Sequence, residues 1–243
     1  MGEMTSAPRR RLSERTIARL PVYQRIVDEW LREGRVRLDS VSLAERAGVT
    51  ATTVRRDLAG LGSLGTRGSG YAVASLREAL AEALGQDRSC EVILVGAGNL
   101  GRALVNSASF LPVGARLTGL YDADEELVGT EVAGQRVLSA VRGFPSADVA
   151  VLCVPAPVAQ SVADRCVDAG IRALLNFAPC VLNVPPGTVV HDVDLSIALQ
   201  VLLYRLNHGG GFWGDLWRSS LDTTDAQDSG PEATAGAIGR MAP

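Results

Sequence analysis

The stretch EVILVGAGNLG, which runs from Glu91 to Gly101, decides the fold of this chain. A mostly apolar run of five residues predicts a buried strand, and the pattern Gly-x-Gly-x-x-Gly follows it without a gap. Strand, glycine-rich turn and helix in this order are typical of the first unit of a dinucleotide-binding fold. Gly96 would permit the tight turn, Gly98 would let a pyrophosphate approach the backbone, and the third glycine would allow close packing of the helix on the strand.

A carboxylate further along the chain supports a dinucleotide ligand. Asp122 lies 21 positions past Gly101, at the end of the second predicted strand. An acid there binds the ribose hydroxyls and repels a 2′-phosphate, so the sequence favours NAD over NADP. The pyrophosphate would lie on the turn and the start of the helix, at Gly96, Ala97, Gly98, Asn99, Leu100 and Gly101. A glycine-rich turn that binds another ligand, or none, remains the alternative.

Strand and helix patterns alternate over the rest of this region. Strands are predicted at 91–95, 116–121, 148–154, 172–177 and 188–193, and helices at 99–108, 157–169 and 195–206. Such alternation predicts an α/β fold with a Rossmann-like, doubly wound parallel sheet.

Residues 40–71 predict a helix-turn-helix followed by a glycine-rich wing. The first helix would begin with a capping box at Ser42, and Thr50 would cap the second helix. In such a motif the second helix enters the major groove, so its candidate DNA contacts are Thr50, Thr52, Thr53, Arg55 and Arg56, with Arg67, Gly68 and Tyr71 on the wing. A helical protein-interaction module with a glycine loop is the alternative.

The helices that flank this motif are also predicted. Ser13 would open a short helix, and Pro21 would lie in the first turn of the next one. Ser75 would begin a linker helix through a second capping box. The patterns divide the chain into a disordered arm at 1–12, a winged-helix domain at 13–74, a linker helix at 75–88, a Rossmann domain at 89–194, a C-terminal helix at 195–207 and a glycine-rich, mostly disordered tail at 208–243.

Composition argues against an enzyme, a metal site and a membrane protein. All 24 basic residues are arginine, there are two histidines, and the four cysteines form no Cys-x-x-Cys pair. We therefore find no lysine base, no metal-ligand spacing and no evident proton acceptor for hydride transfer. No apolar run approaches the roughly 20 residues of a membrane span, and no secretory signal is visible, so a cytoplasmic protein is expected.

Charge is distributed unevenly along the chain. Up to Tyr71 there are 13 arginines against 8 acidic residues, whereas the whole chain carries a net charge of −3. A basic N-terminal part and an acidic remainder suit a polyanionic partner, such as DNA, for the N-terminal part alone.

Six segments resemble the redox-sensing transcriptional repressors of the Rex family. They are Leu20–Tyr23, Val54–Leu58, Gly65–Tyr71, Val95–Leu104, Leu175–Pro179 and Asp192–Ser196. The resemblance implies a homodimer with an N-terminal winged helix, a Rossmann domain and a last helix that swaps onto the partner subunit. It also implies that NADH releases operator DNA whereas NAD⁺ favours the DNA-bound form.

The same resemblance assigns roles to single residues. Val154, Pro155, Asn176, Phe177 and Ala178 would line the nicotinamide side. Arg25 and Asp194 would form an ion pair that changes with the state of the switch, and Ser107 stands where the family usually has a tyrosine of that switch. A small NAD(P)-dependent oxidoreductase, or a sensor of another nucleotide such as coenzyme A on the same fold, are the alternative functions.

Overall fold

The computed structural model describes residues 12–62, 64–66 and 70–208, with the side chain of Thr66 left out. Apart from Leu12 and His208, the predicted arm and tail lie outside these residues. The helices are α1 Glu14–Arg32, α2 Ser40–Ala47, α3 Ala51–Ala59, α4 Val73–Ala83, α5 Asn99–Asn106, α6 Ala156–Asp168 and α7 Leu195–His208. The strands are β1 Arg37–Leu38, β2 Gly65–Thr66, β3 Gly70–Ala72, β4 Cys90–Val95, β5 Ala115–Asp122, β6 Glu131–Val132, β7 Gln135–Ser139, β8 Val149–Leu152, β9 Ala173–Asn176 and β10 Val189–Asp192.

The first helix is longer than the sequence predicted. Ser13 does cap it, but α1 continues through Pro21, so the prediction of two helices was wrong. A proline inside a helix removes one hydrogen bond and costs about 3 kcal/mol. Pro21 is exposed, and Leu20, Tyr23 and Val27 are almost completely buried around it. Burial of one continuous apolar face therefore outweighs the local defect.

Two of the three predicted caps were misplaced. The N-cap of α2 is Asp39, whose Oδ1 accepts from the amides of Val41 and Ser42 at 2.8 and 3.0 Å. These bonds and the Ser42 hydroxyl lower the pKa of the Asp39 carboxyl. Helix α4 begins at Val73 instead of near Ser75, because strand β3 leads straight into it.

The N-terminal unit is a helical core with a small antiparallel sheet in the order β1-β3-β2. Its fully buried side chains come from all four helices and include Leu20, Tyr23, Trp30, Leu43, Leu58, Leu76 and Leu80. Helix α4 thus belongs to the core of this unit, packed on α1, and is more than a linker. The glycine-rich segment forms the hairpin β2–β3 that the sequence predicted as a wing.

The second unit is a seven-stranded sheet in the order β10-β9-β8-β4-β5-β7-β6. All neighbouring strands from β10 to β7 are parallel, which confirms the α/β prediction, and only β6 runs antiparallel to β7. The β6–β7 hairpin was not predicted from the sequence. The strand order reverses between β4 and β8, and open α/β sheets bind ligands at such a switch point.

The last helix is unlike the others because none of its residues is buried. Within α7, Leu195, Ile197, Leu202 and Leu206 are each more than half exposed. Among the described residues, no helix combines the length and the apolar character that crossing a bilayer requires.

Candidate cofactor site and nucleic-acid interface

The glycine-rich turn links β4 to α5, and two of its glycines are sterically required. Gly96 has φ +106°, and a Cβ there would collide with the carbonyl oxygen of Cys153. A Cβ at Gly101 would collide with the carbonyl oxygen of Gly96 and lie 3.1 Å from Leu94 Cδ2. These contacts fix the turn against β8 and press α5 onto β4.

Gly98 differs from both of these glycines. Its φ is −69°, and a Cβ added there would meet no protein atom within 4 Å. It is also the N-cap of α5, so no side chain caps the first turn. The first amides of α5 therefore have no side-chain cap at the positive end of the helix, and there is open space beside Gly98. This arrangement favours an anionic group.

Asp122 ends β5 beside this turn. Its Oδ2 accepts from the Ala97 amide at 2.6 Å, and its Oδ1 accepts from the Asp124 amide at 2.9 Å. The carboxylate is half-buried, and each oxygen keeps a second lone pair that can accept a ligand hydroxyl. Asp122 therefore holds the turn in shape in addition to the ribose contact that the sequence predicts.

The sequence did not single out Arg102, which also supports the turn. Its Nε donates to the carbonyl oxygen of Ala97 at 2.9 Å. The Ala97 backbone is thus held from one side by the Asp122 carboxylate and from the other by this guanidinium. The signal was available, since Arg102 falls one residue after the last glycine of the motif, in the first turn of α5.

The other predicted cofactor residues follow the neighbouring strands. Residue register places Val95, Leu152 and Asn176 side by side at the carboxyl ends of β4, β8 and β9. The half-buried Val154 and the exposed Pro155 come directly after β8, so they lie at the same edge as the glycine-rich turn. The structure therefore brings these residues together at the switch point of the sheet.

Asn176 is completely buried, and its amide bonds groups inside the protein. Its nitrogen donates to the carbonyl oxygens of Ala178 and Cys180 and to Asp192 Oδ1 at 2.8–3.2 Å, and its oxygen accepts from the Ala178 amide at 3.0 Å. Asn176 therefore shapes the turn that carries the half-buried Phe177.

One thiol near this edge, that of Cys153, is held in unreactive form. Burial raises the pKa of the Cys153 thiol to about 12, so it is protonated at neutral pH. Among the described residues, no three His, Cys, Asp or Glu side chains are grouped in a way that could hold a metal ion.

The predicted DNA contacts divide into exposed and buried residues. Thr50 and Thr52 are exposed at the start of α3, and Arg55 and Arg56 are exposed further along it. Thr53, by contrast, is only 5% exposed and shares the N-cap with Thr50, whose hydroxyl accepts from the Thr53 amide at 3.1 Å. We therefore correct the prediction for Thr53, because a side chain inside the core cannot reach a base.

The wing is described only in part. Arg67 and Gly68 lie outside the described residues. Tyr71 is half-buried and packs against the core of the N-terminal unit. A Cβ at Gly65 would come within 3.0 Å of the Tyr71 ring, so this side chain fixes the base of the hairpin.

The predicted switch residues do not meet within one chain. Asp194 caps α7 by accepting from the Ser196 hydroxyl and from the amides of Ser196 and Ile197, and these bonds lower the pKa of its carboxyl. Within the described part of the chain, Arg25 and Asp194 form no ion pair. Ser107 lies exposed at the end of α5, where it contacts the Ser109 hydroxyl at 3.2 Å.

A groove of about 600 Å³ separates α1 from the edge of the Rossmann unit. Its charged lining comprises Arg25, Asp28, Arg32 and Arg88, and its apolar lining includes Leu84 and Leu111. Two of its lining residues, Gln24 on α1 and Gln86 in the segment between α4 and β4, form a reciprocal pair of amide bonds at 2.6 and 2.7 Å. Nothing in the sequence pattern pairs these glutamines, which are 62 residues apart.

Two family models match the chain. One, described as a putative DNA-binding protein N-terminus, matches residues 11–59. The other, described as a CoA binding domain, matches residues 87–180.

Curated relatives cover nearly the whole described chain. A redox-sensing transcriptional repressor Rex of Desulfitobacterium hafniense is 40% identical over 201 residues, which are 81% of this chain and 96% of the relative. The protein of the same name from Streptomyces coelicolor is 41% identical over 207 residues, which are 83% of this chain and 80% of the relative.

Solved structures agree with these relatives. The structure of RSP in complex with β-NAD⁺ and operator DNA superimposes with a TM-score of 0.74 at 37% identity, and covers 82% of this chain and 94% of its own. The complex of RSP with β-NADH gives a TM-score of 0.70 at the same identity, over 80% of this chain and 94% of its own.

Proposed function

Because the chain belongs to the Rex family of redox-sensing transcriptional repressors, we propose that it holds operator DNA through its winged helix and releases it when NADH binds. It is a transcriptional repressor and not an enzyme, as its curated relatives are named repressors. The proposal rests on two features of the same chain. Arg55 and Arg56 are exposed on α3, and the turn at Gly98 has the open space and the helix N-terminus that favour an anion. The cytoplasm, where NADH and DNA meet, is the place where such a protein would act.

The cofactor would lie across the switch point of the sheet. Its pyrophosphate would lie over Gly98 at the N-terminus of α5, and its adenosine ribose would bond the free lone pairs of Asp122. The nicotinamide end would reach Val154, Pro155 and the turn that Asn176 shapes. The acidic side chain at Asp122 supports NAD(H) over NADP(H), because a 2′-phosphate beside a carboxylate is repelled.

The operator would be read by α3. Thr50 and Thr52 lie at its N-terminal end, where helix-turn-helix proteins contact bases, and Arg55 and Arg56 supply charge for guanine or phosphate. The wing, with Arg67 and Gly68, would contact the minor groove or the backbone. DNA binding in this mode is salt-dependent, since each neutralised phosphate releases counterions.

A homodimer built on α7 accounts for the exposed apolar helix. Each leucine that becomes buried contributes about 1.5–3 kcal/mol. The five leucines of α7 lie on one exposed face of this 14-residue helix, and a partner that covers the face would bury them together. We propose that α7 of each subunit packs against the other subunit, beside the groove that Arg25 lines. Asp194 at the start of α7 would then reach Arg25 across the subunit boundary in one of the two states.

The dimer proposal is tested by changing the apolar face of α7. Replacing Leu202 with Asp places a charge on that face and should convert the dimer into monomers in sedimentation velocity. Replacing the exposed Gln200 with Asp is the matched control and should leave the dimer intact. Equal sedimentation of the two variants as dimers would remove α7 from the interface.

The function is tested by titrating one labelled operator duplex. Operator binding should weaken at least tenfold with saturating NADH, whereas saturating NAD⁺ should leave it nearly unchanged. Coenzyme A is the informative third ligand, because the model that matches residues 87–180 is described as a CoA binding domain. If coenzyme A released the operator and NADH did not, the effector would be coenzyme A, and the function as a DNA-binding repressor would still stand.

A further inference from the structure

A single carboxylate lies in the centre of the buried face of α3. Asp57 directly follows the exposed Arg55–Arg56 pair, yet it is only 2% exposed. Val54 and Leu58 flank it on the same face and are 0% and 1% exposed. A carboxylate at such a position is rare unless its charge is fully compensated.

The compensation comes entirely from α1. Asp57 Oδ1 accepts from Thr16 Oγ1 at 3.0 Å and from Arg19 Nη2 at 2.9 Å, and Oδ2 accepts from Arg19 Nε at 2.7 Å and Tyr23 Oη at 2.8 Å. The three donors recur on one face of α1, and together they satisfy all four lone-pair positions of the carboxylate. Helix α3 is thus bound to α1 by two hydrogen bonds from the Arg19 guanidinium and by one each from the Thr16 and Tyr23 hydroxyls.

Two donors of this network keep their protons near neutral pH. The hydrogen bond to the carboxylate raises the pKa of Arg19, and burial raises the pKa of Tyr23 well above its usual range. Arg19 stays charged and Tyr23 stays a donor. Both side chains therefore keep donating to the Asp57 carboxylate at neutral pH.

Stability alone does not require a clamp of this kind. Well-packed apolar residues commonly replace a buried ion pair with no loss of stability. Directional hydrogen bonds supply what apolar contacts lack, which is a defined rotation and height of one helix relative to another. With nine residues and only Val54 and Leu58 as buried aliphatic side chains, α3 would otherwise turn or slide on its apolar face.

We propose that the Arg19–Asp57 pair is a positioning device that gives this protein its discrimination between operator and other DNA. It sets the pose of α3 so that Arg55 and Arg56 meet base edges in register. Base contacts require donor–acceptor distances of roughly 2.7–3.2 Å, whereas attraction to phosphates tolerates displacement. Loss of the clamp should therefore weaken operator binding and spare non-specific binding. This inference rests on the proposed function as a DNA-binding repressor.

The test replaces the clamp by apolar side chains of similar size. The double variant Arg19→Met with Asp57→Leu removes one charge of each sign, so the attraction of the protein to any duplex is unchanged. The matched control is Arg116→Met with Glu91→Leu, which removes a 2.7 Å ion pair between β4 and β5, away from the winged helix. The probes are a duplex that the wild-type protein selects from a random pool and a scrambled duplex of the same composition.

The double variant should stay folded with a lower melting temperature, because the buried Tyr23 hydroxyl loses its acceptor. It should keep its NADH affinity and its affinity for the scrambled duplex. Its affinity for the selected duplex should fall at least tenfold, whereas the control should match wild type on both duplexes. If the variant folds and still discriminates like wild type, the pair is merely structural and the proposal is overturned.

A second variant keeps the test decisive if the first one fails to fold. Arg19→Lys retains the charge but replaces the fork with a single ammonium group, and it should also lose discrimination at unchanged scrambled-duplex affinity. Unchanged discrimination in a folded Arg19→Lys protein would likewise overturn the proposal. Failure of the wild-type protein to select any duplex would be a different result, because it would refute the repressor function itself.

Discussion

The same substitution at two glycines of one turn should change stability at one position and leave it unchanged at the other. At Gly101 an added methyl group would collide with the Gly96 carbonyl oxygen and crowd Leu94, so α5 must move off β4. Overpacking of this kind typically costs about 1–3 kcal/mol of stability. At Gly98 the methyl group would meet no protein atom within 4 Å, and the φ of −69° is unstrained.

Gly98→Ala should therefore keep the free energy of unfolding within about 0.5 kcal/mol of wild type, since the reduced freedom of the unfolded chain offsets a poorer N-cap. The methyl group would still occupy the space through which the pyrophosphate approaches. We expect NADH affinity to fall at least tenfold, or about 1.4 kcal/mol. Gly101→Ala should lose both stability and affinity.

Urea unfolding and NADH fluorescence titration measure the two quantities separately. The reasoning is refuted if Gly98→Ala binds NADH like wild type, because the open space above the turn would then not be the phosphate site. It is also refuted if Gly98→Ala is destabilised as much as Gly101→Ala, because the steric difference between the two positions would then be wrong.

Three further predictions follow from named contacts. The double variant Arg55→Ala with Arg56→Ala should abolish operator binding in a gel shift but keep NADH affinity, and retained operator binding would exclude α3 as the reading helix. Gln86→Ala removes both amide bonds to Gln24, each worth about 0.5–1.5 kcal/mol. NADH weakens operator binding by a certain factor, and this factor should be at least threefold smaller in the variant. An unchanged factor would show that the Gln24–Gln86 contact does not couple NADH binding to operator release. Cys153, whose pKa burial raises to about 12, should resist iodoacetamide at pH 8 in the folded protein but react in urea, and mass spectrometry showing equal labelling would contradict its burial.

The parallel sheet could be predicted because its signals are local. The run from Val92 to Val95 is apolar at every position, and the glycines that follow are needed for contacts inside the same unit. Thr50 was also predicted correctly as a cap, since its partner, the Thr53 amide, lies only three residues away.

The misplaced elements depend on more distant contacts. Helix α1 continues through Pro21 because its apolar face is buried by three other helices, and no local rule contains that information. The burial of Asp57 requires donors on α1 about 40 residues earlier, so the sequence showed only an acid between two aliphatic residues. The signal that could have revealed it is this position, midway along the apolar stripe of a short helix.

The predicted cofactor residues cluster at one edge of the sheet, and two of them have structural roles that the sequence did not predict. Asn176 was expected to line the nicotinamide side, and its amide also holds a turn. Asp122 was expected to bind ribose, and it also bonds the Ala97 amide. In both cases a polar side chain at the end of a strand satisfies backbone groups, which a sequence pattern does not distinguish from ligand binding.

The central claim is that the cofactor site and the DNA site are coupled, and coupling between two binding equilibria is reciprocal. The most direct test is therefore the NADH affinity of the protein, measured by fluorescence with and without a saturating operator duplex. The affinity should fall on operator binding by the same factor, at least tenfold, by which NADH weakens operator binding. Equal NADH affinity in the free and the DNA-bound protein would contradict the account.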